Sequence, residues 1–578
     1  KYVVGSDIQR EFFIGKQALA GQWDLATTEQ TGTSIVVGLL APWLSRLPFL
    51  DLLTVYKLIL PIFLGLVPVL LYLAFRKQMG GRSAFIAAIF FVAMPAFSLE
   101  SAQIVKAMVA EMFLALMVLV MVGGSKPGSN TKTVLVAAVA VTILAHYTVG
   151  IMALFYLTAI FLVKIFAWPL RWSLLERKML SPFAVGLVLL LGGALFLGYY
   201  SIASDGVILK VVSRTGSSYE QIAVAQVKAG IKETGYNPEW EGIQTTPKYS
   251  WQEPVDVQKT VYLQKQPSMV QTAIGLDFFK ASGLGKVFRV FLYLTELLIL
   301  IGGVHLLRNH RRYRFTSEFI ACIGASIVLL FLCVFVPMFS SIINMSRFYH
   351  FSLFFLAPLF VIGCDAVSGS GRLKRALPAI ILVPYLLFTS GLVFEASKSN
   401  ITHFLDMPYS FALSAERTGV ARLYKSDDLA AIEWLNNVSD QERMIISDVP
   451  GYSLLVSNIE DWGRLKTPLA KTVRISQQLT NVVHLGTRPA LDEAPDGSYI
   501  LLTSWNTTTG DYIEHRDIGP GLRVREPLPE MPYPMVFSRG DAVVLLKSPW
   551  VVQETPQNIE IEQDYKAVHD AALERNFE

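Results

Sequence analysis

Two carboxylates lie four positions apart in the first polar stretch of the chain. Asp7 and Glu11 stand on either side of Arg10, and a spacing of four puts both on one face of a helix. A carboxylate can take a proton from an attacking hydroxyl group and so act as a general base. The alternative is a face that is simply solvated. Asp7 is the first candidate for catalysis, and Glu11 is the second.

Three later segments each place polar or cationic side chains beside an apolar run. They contain Gln103, Lys106 and Glu111; His146 and Tyr147; and Arg347, Tyr349 and His350. Arginine matches phosphate oxygens with a two-pronged donor group, and lysine supplies a compact positive charge. Lys106 and Arg347, with His350, are therefore the candidates for binding a phosphate group.

Some charged residues lie inside apolar runs. A charge at the bilayer centre costs roughly 2.5–3.5 kcal/mol unless it is paired or hydrated. We therefore expect an internal cavity lined by Lys57, Gln103, Glu111, His146, Tyr147, Glu296 and Tyr349. Simpler alternatives stay open: lysines near span ends extend to the lipid headgroups, His146 and Tyr147 could be an interfacial pair, and Glu296 could pair with Arg289.

The composition excludes an ordinary soluble domain. Of the 578 residues, 52% are hydrophobic and only 17% are charged, whereas soluble proteins contain about 25% charged residues. The net charge of +4 is small for this length, so no nucleic-acid partner is indicated. The three cysteines all fall in apolar runs, which does not support a disulfide framework.

Apolar runs near membrane length predict a polytopic α-helical bundle. They cover about 53–75, 84–97, 107–124, 133–146, 149–168, 184–203, 286–306, 319–340, 351–367 and 376–394. The runs 84–97, 133–146 and 351–367 are short, which suggests helices that begin in a water-filled cavity. The run Ile35–Leu47 suggests a helix lying in the membrane interface.

Basic residues concentrate in the loops on one side of this predicted bundle. These loops begin at Arg76, Lys126, Arg171, Arg308 and Arg372, and basic loops face the cytoplasm. Residues 1–52, 204–284 and 395–578 then lie outside a plasma membrane. Because residue 1 is lysine, we also expect a further span upstream.

Residues 395–578 have the pattern of an extracytoplasmic α/β domain. Asp427–Asn437 predicts an amphipathic helix, Arg443–Asp448 and Tyr499–Thr503 predict strands, and Met535–Phe537 with Ala542–Leu546 predicts a hairpin. Sequons begin at Asn344, Asn400, Asn437 and Asn506. Asn400, Asn437 and Asn506 are the candidates for glycosylation.

The outward-facing motifs resemble those of a known enzyme superfamily. Gly5-Ser6-Asp7 with Glu11-Phe12-Phe13 resembles the first outer loop of the GT-C glycosyltransferases. Gln103 to Phe113, Ala145-His146-Tyr147 and Arg347-Phe348-Tyr349-His350 are similar to a mainly archaeal branch of that superfamily. The resemblance covers residues 1–394, and it implies a GT-C-like membrane domain there.

Membership would imply an inverting, metal-independent transfer of a hexose from a polyprenyl phosphate, with no cofactor. The acceptor would be a glycan, lipid or protein at the outer face, as in cell-surface glycan assembly or glycoprotein synthesis. Asp7 would be the acid/base carboxylate, and Lys106 and Arg347 would bind phosphate. No Asp-x-Asp motif or glycine-rich phosphate loop occurs, which argues against nucleotide-dependent chemistry.

Other functions remain open. An oligosaccharyltransferase-like or polysaccharide-assembly enzyme would use similar groups, although the Trp-Trp-Asp signature of oligosaccharyltransferases is absent. A transporter or flippase of lipid-linked glycans would be expected to have repeated halves, and the sequence has no such symmetry. A receptor or structural bundle would leave the charges inside the spans unexplained.

Overall fold

The computed structural model divides the chain into two compact units. One comprises residues 3–243 and 266–419, and the other comprises 244–265 and 420–578, apart from the first two residues. Part of the loop 204–284 therefore belongs to the second unit. The residues that the structure describes are 7–28, 30–101, 104–123, 130–166, 180–206, 208–209, 261–264, 275, 278–279, 283–335, 345–369, 372–390, 392–397, 425–438, 445–448, 451, 454–455, 458, 496–516, 522–528, 531 and 533–547.

The first unit is a helical bundle. Its main helices are α1 (Asp7–Leu19), α2 (Leu60–Met79), α3 (Gly81–Ala93), α4 (Val105–Gly123), α5 (Thr131–Ala145), α6 (Tyr147–Phe166), α7 (Pro182–Ile202), α8 (Gly283–Arg308), α9 (Ser317–Phe335), α10 (Met345–Ser368) and α11 (Arg372–Thr389). Seven described helical segments are long and apolar enough to cross a membrane, and three apolar helices are shorter. The protein is a multi-pass membrane protein.

Short irregular helices join these elements. Ala41–Leu44, Leu52–Thr54 and Leu392–Ala396 are α-helical; Val36–Leu40, Val55–Ile59 and Ala96–Glu100 are π-helical; and Gln30–Thr33, Ala203–Gly206 and His310–Arg312 are 3₁₀. The predicted interface helix at Ile35–Leu47 is therefore a π-helical turn followed by one α-helical turn. It buries Val36, Val37 and Ala41 and exposes Leu39 and Trp43.

The prediction that residues 351–367 form a short span is wrong. Helix α10 begins at Met345 and runs for 24 residues, so Arg347 and His350 lie in its first turns rather than in a loop before it. The polar side chains in these turns are tolerated because the helix is enclosed by the bundle, with 20 of its residues buried. The third short apolar helix is Ala376–Thr389 instead.

The chain alternates between two ends of the bundle. At the basic end, the Arg314 N–H donates to the Gln78 carbonyl at 3.0 Å, which brings two of the basic loops together. Lys164 Nζ donates to Glu318 Oε1 there at 2.6 Å. At the other end, which we call the α1 end, Tyr56 OH donates to the Glu11 carbonyl at 2.7 Å. The loop from Arg171 to Lys178 lies outside the described residues.

Helices α8 and α10 cross at a pair of glycines. A Cβ on Gly302 would overlap the carbonyl of Leu359, and one on Gly363 would overlap the carbonyl of Leu298. Small residues allow helix backbones to approach closely in membranes, where van der Waals contact replaces the hydrophobic effect as the main attraction. The two glycines therefore fix how α10, which carries Arg347 and His350, packs against α8.

The second unit contains two small sheets and two described helices. The strands are β1 (Val261–Gln264), β2 (Ile445–Ser447), β3 (Tyr499–Leu502), β4 (Asp511–Arg516), β5 (Leu522–Pro527), β6 (Met535–Arg539) and β7 (Ala542–Leu546), and the helices are α12 (Ser426–Val438) and α13 (Ser504–Thr509). One sheet has the order β1-β5-β4, and the other has the order β2-β3-β7-β6. Among the described strands, β2 and β3 pair in parallel, and the other pairs are antiparallel.

The predicted helix, strands and hairpin are confirmed in this unit, but one glycosylation candidate is not compatible with it. Asn506 is fully buried, and its Nδ2 donates to Asp448 Oδ2 at 2.8 Å. Its Oδ1 accepts from the Thr503 N–H at 2.8 Å. A glycan on this nitrogen would break its hydrogen bond to Asp448 and would not fit the buried position. Asn437 is exposed on α12, whereas Asn344 and Asn400 lie outside the described residues.

Candidate active site

Polar side chains from separate segments meet at the α1 end of the bundle. Glu111, His146, Arg347 and His350 line one cavity, together with Ser101 and Thr148. They come from α4, the junction of α5 and α6, and α10. The space enclosed by these described residues is about 20 Å³, enough for one water molecule but not for a sugar phosphate. A larger ligand would have to sit at its rim, beside the half-buried Arg347.

Glu11 links the first helix to the start of α4. Its Oε2 accepts from the Val105 N–H at 2.7 Å, and its Oε1 lies 3.5 Å from Lys106 Nζ. Its side chain has no exposed surface. Burial raises the pKa of Glu11 to about 7, although Lys106 opposes this shift. Glu11 therefore positions Lys106 and the N-terminus of α4, and it cannot meet a substrate directly in this arrangement.

A second buried pair joins α4 to α10. His350 Nε2 lies 3.0 Å from Glu111 Oε2, and Ser101 Oγ donates to Glu111 Oε1 at 2.8 Å. The His350 ring packs against Phe91 and Phe354, with ring centroids 5.1 and 5.6 Å away. With its Nε2 engaged by Glu111, His350 is a poorer phosphate ligand than the sequence predicted. Its Nδ1 is buried without a hydrogen-bond partner among the described residues.

His146 interrupts the bundle between α5 and α6. Its Nδ1 accepts from the Thr148 N–H at 3.1 Å, so the proton of the neutral ring is on Nε2. Lys106 and Arg347 both lie close enough to act electrostatically on the ring. The ring also stacks on Tyr147, with centroids 5.2 Å apart. The two predicted phosphate-binding cations therefore both lie near His146.

The other predicted site residues have different positions. Asp7 is half-buried in the first turn of α1 and lies close enough to influence Glu11. Lys57 is exposed, so the prediction that it faces an internal cavity is wrong. Glu296 lies near Tyr349, and neither belongs to the described lining of the cavity around His350. Gln103 lies outside the described residues.

The simpler explanations for the charged residues inside apolar runs can be compared with the structure. Lys106 is only 7% exposed and pairs with Glu11, so it does not extend to lipid headgroups. Arg289 is buried with its guanidinium 5.5 Å from the Phe288 ring. Among the described residues, no group of three or more His, Cys, Asp or Glu side chains could hold a metal ion.

Three contributors were not anticipated from the sequence. Ser101 binds Glu111, Thr148 orients His146, and Tyr56 binds the Glu11 main chain. Hydroxyl residues are common at helix ends and in loops, so nothing in the sequence distinguishes Ser101 or Thr148. Tyr56 offered a weak signal, because a tyrosine near a span end needs a partner for its hydroxyl group.

Comparison with known proteins gives partial matches. Residues 272–515 match the family model described as Predicted membrane protein (DUF2206). No curated protein sequence matches the chain significantly.

Solved structures match over most of the chain. The apo oligosaccharyltransferase of Archaeoglobus fulgidus aligns with a TM-score of 0.46 and 12% identity, covering 88% of this chain and 66% of that one, slightly less than two thirds of its length. ArnT from Cupriavidus metallidurans aligns in the apo state with a TM-score of 0.45 and 12% identity, covering 91% of this chain and 94% of that one. Its complex with undecaprenyl phosphate gives 0.43 and 13%, covering 96% of each chain. Similarity at this level does not assign an activity.

Proposed function

We propose that this protein is a membrane glycosyltransferase that transfers a sugar from a polyprenyl phosphate to an acceptor hydroxyl group. One observation carries the proposal: Lys106 and Arg347 reach the same region from different helices, beside two carboxylate-containing pairs, at one end of a membrane bundle. Two cations at a membrane surface suit a lipid phosphate. The motif resemblance to the GT-C glycosyltransferases in residues 1–394 supports the same reaction.

The reaction requires a base and a stabilised leaving group. The acceptor oxygen attacks the anomeric carbon, the bond from that carbon to the phosphate oxygen breaks, and the acceptor proton passes to the base. Polyprenyl phosphate leaves as an anion, so cations directed at it lower the barrier. Attack from the face opposite the leaving phosphate inverts the configuration at the anomeric carbon.

Each residue then has a distinct role. Asp7, half-buried and at the start of α1, is the proposed base. Arg347 and Lys106 bind the donor phosphate, and Glu11 holds Lys106 in position. The Glu111–His350 pair fixes α10 against α4 and thereby positions Arg347, which lies three residues before His350. In this proposal His350 is a positioning residue rather than a phosphate ligand.

The direct test is an assay of the purified full chain with synthetic polyprenyl-phosphate hexoses and a mixture of glycan, lipid and peptide acceptors. The expected result is release of polyprenyl phosphate that requires an acceptor and persists in chelator. Absence of release with every hexose, from a protein whose fold is verified by thermal unfolding, would contradict the proposal.

We also propose that the α1 end and the second unit face the outside of the cell. The basic loops at Arg76 and Arg314 meet at the opposite end, and such loops are retained in the cytoplasm. Labelling of single cysteines from outside intact cells should modify position 24 and spare position 312. The reverse pattern would invert the orientation.

A further inference from the structure

The basic end of the bundle contains a second pocket, of about 400 Å³. Arg76 and Lys77 from the last turn of α2 line it, together with Arg312 and Arg314 from the loop between α8 and α9. Asp365 of α10 is the acidic member of the lining. Four positive charges against one negative charge leave a formal charge of +3. A pocket with this excess attracts an anion.

A buried amide lies in the same pocket. Gln78 is only 2% exposed, and neither Nε2 nor Oε1 has a hydrogen-bond partner in the described part of the chain. A buried amide without partners is costly, so such groups normally bind a ligand or water. Its main chain is already committed, because the Gln78 carbonyl accepts from the Arg314 N–H. The side-chain amide is therefore available to a ligand.

A helix N-terminus lies beside the same space. Helix α3 begins at Gly81, and Gly80 and Ser83 line the pocket. Gly80, with φ of +90°, provides no side chain to cap the first turn of α3. The first N–H groups of a helix and the positive end of its dipole favour an anion. This feature points to the same class of ligand as the arginines and Gln78.

We propose that this pocket binds a phosphate group. The arginine side chains would bind phosphate oxygens with paired N–H groups, and Gln78 Nε2 would donate a further hydrogen bond. The phosphate could belong to an anionic phospholipid headgroup or to a soluble phosphate compound, since both present the same oxygens. Arg76, Gln78 and Arg314 are the residues that define the site.

The pocket is separate from the candidate active site. Both touch α10, but Asp365 is 18 residues beyond Arg347, which corresponds to about 27 Å along a helix. That distance is close to the thickness of the hydrocarbon core of a bilayer. The same phosphate therefore cannot occupy both sites, and the binding assay below is independent of transferase activity.

The test measures thermal unfolding and binding with the purified full chain. One arm places the protein in nanodiscs of phosphatidylcholine with or without phosphatidylglycerol. The other arm adds inorganic phosphate to protein in neutral detergent, with sulfate and chloride at matched ionic strength. Arg314→Gln and Gln78→Leu are the pocket variants. Lys132→Gln removes an exposed charge from the start of α5 at the same end, outside the described pocket lining.

A rise in unfolding temperature with phosphatidylglycerol alone identifies a lipid headgroup, and a rise with inorganic phosphate identifies a soluble source. In either case Arg314→Gln should weaken binding roughly tenfold and Lys132→Gln should not. Gln78→Leu should weaken binding without lowering the unfolding temperature of the free protein. No response to either probe, or equal losses in Arg314→Gln and Lys132→Gln, would overturn the proposal.

Discussion

Glu111 and His350 face each other with 3.0 Å between Oε2 and Nε2, although 239 positions separate them in the sequence. Their side chains are 3% and 2% exposed. This contact joins a carboxylate of α4 to the helix that carries Arg347. It gives the carboxylate of an apolar helix a hydrogen-bond partner where it lies, in addition to Ser101.

Breaking this pair should destabilise the bundle. Glu111→Gln and His350→Gln should each lower the free energy of unfolding by roughly 1–3 kcal/mol, because each disturbs a buried hydrogen bond and leaves its partner poorly satisfied. In the double variant the losses should be less than additive. Denaturant unfolding of the four proteins in detergent would measure the coupling, and strictly additive losses would show that the contact contributes nothing.

Glu11 should make stability depend on pH near neutrality. Its pKa is about 7 in the folded chain against an ordinary value of 4.5, so the folded state binds the proton more tightly. The resulting stabilisation is complete below about pH 4.5 and is lost as pH rises through about 7. Its size is about 3 kcal/mol.

Glu11→Gln should remove this pH dependence, because an amide cannot ionise. The measurement is the free energy of unfolding between pH 5 and 8 for the two proteins. Asp24→Asn, at an exposed carboxylate of the same outer segment, is the matched control and should keep the wild-type slope. An unchanged slope in Glu11→Gln would assign the dependence to other groups.

Asp7→Asn tests the proposed base. The amide keeps the shape of the side chain but cannot accept the proton, so turnover should fall roughly 10²–10⁴-fold. Binding of the lipid phosphate should change little, because other residues hold it. Steady-state kinetics with saturating donor give the value, and full activity in Asp7→Asn would remove this residue from the mechanism.

Arg347→Ala tests the proposed phosphate contact. The KM for the lipid donor should rise at least tenfold, while the thermal unfolding of the donor-free protein should stay close to that of the wild type. Arg347→Lys should recover only part of the loss, because lysine lacks the planar fork that binds two oxygens at once. If both variants bind the donor like wild type, the phosphate is held elsewhere.

Gly363→Ala tests the crossing of α8 and α10. The added methyl group would overlap the Leu298 carbonyl, so the free energy of unfolding should fall by roughly 1–3 kcal/mol or more. Gly324→Ala is a close control, since it lies within α9 and a Cβ there meets nothing within 4 Å. That change should cause no loss. Similar stability of the two variants would contradict the close packing described above.

Much of the membrane unit could be predicted from hydropathy. The apolar runs correspond to helices because a bilayer requires long apolar segments with satisfied backbone groups. The beginning of α10 does not follow from the sequence, because Arg347 and His350 lower the local hydropathy. A hydropathy average over neighbouring residues does not show that His350 has a partner in Glu111. The face that a helix turns toward its neighbours depends on packing, so neither buried pair followed from the sequence.

The small sheet β1-β5-β4 was also missed. Leu522 and Val524 alternate with Arg523 and Arg525, which is the period of a strand with one buried face. The alternating segment is short and carries several charged residues, so it is a weak indication of a strand. The pairing of β5 with β1 is not predictable, because β1 lies in a distant loop that the sequence pattern places in the membrane domain.

This long-range pairing sets an order of events during synthesis. Val261 of β1 pairs with Arg525 of β5, 264 positions later. At roughly 5–20 residues per second, β1 leaves the ribosome about 13–53 s before its partner strand exists. Its backbone groups have to stay hydrated and clear of other strands during that interval, while helices α8 to α11 are synthesised. The sheet β1-β5-β4 can therefore form only after the helices between β1 and β5 have been synthesised.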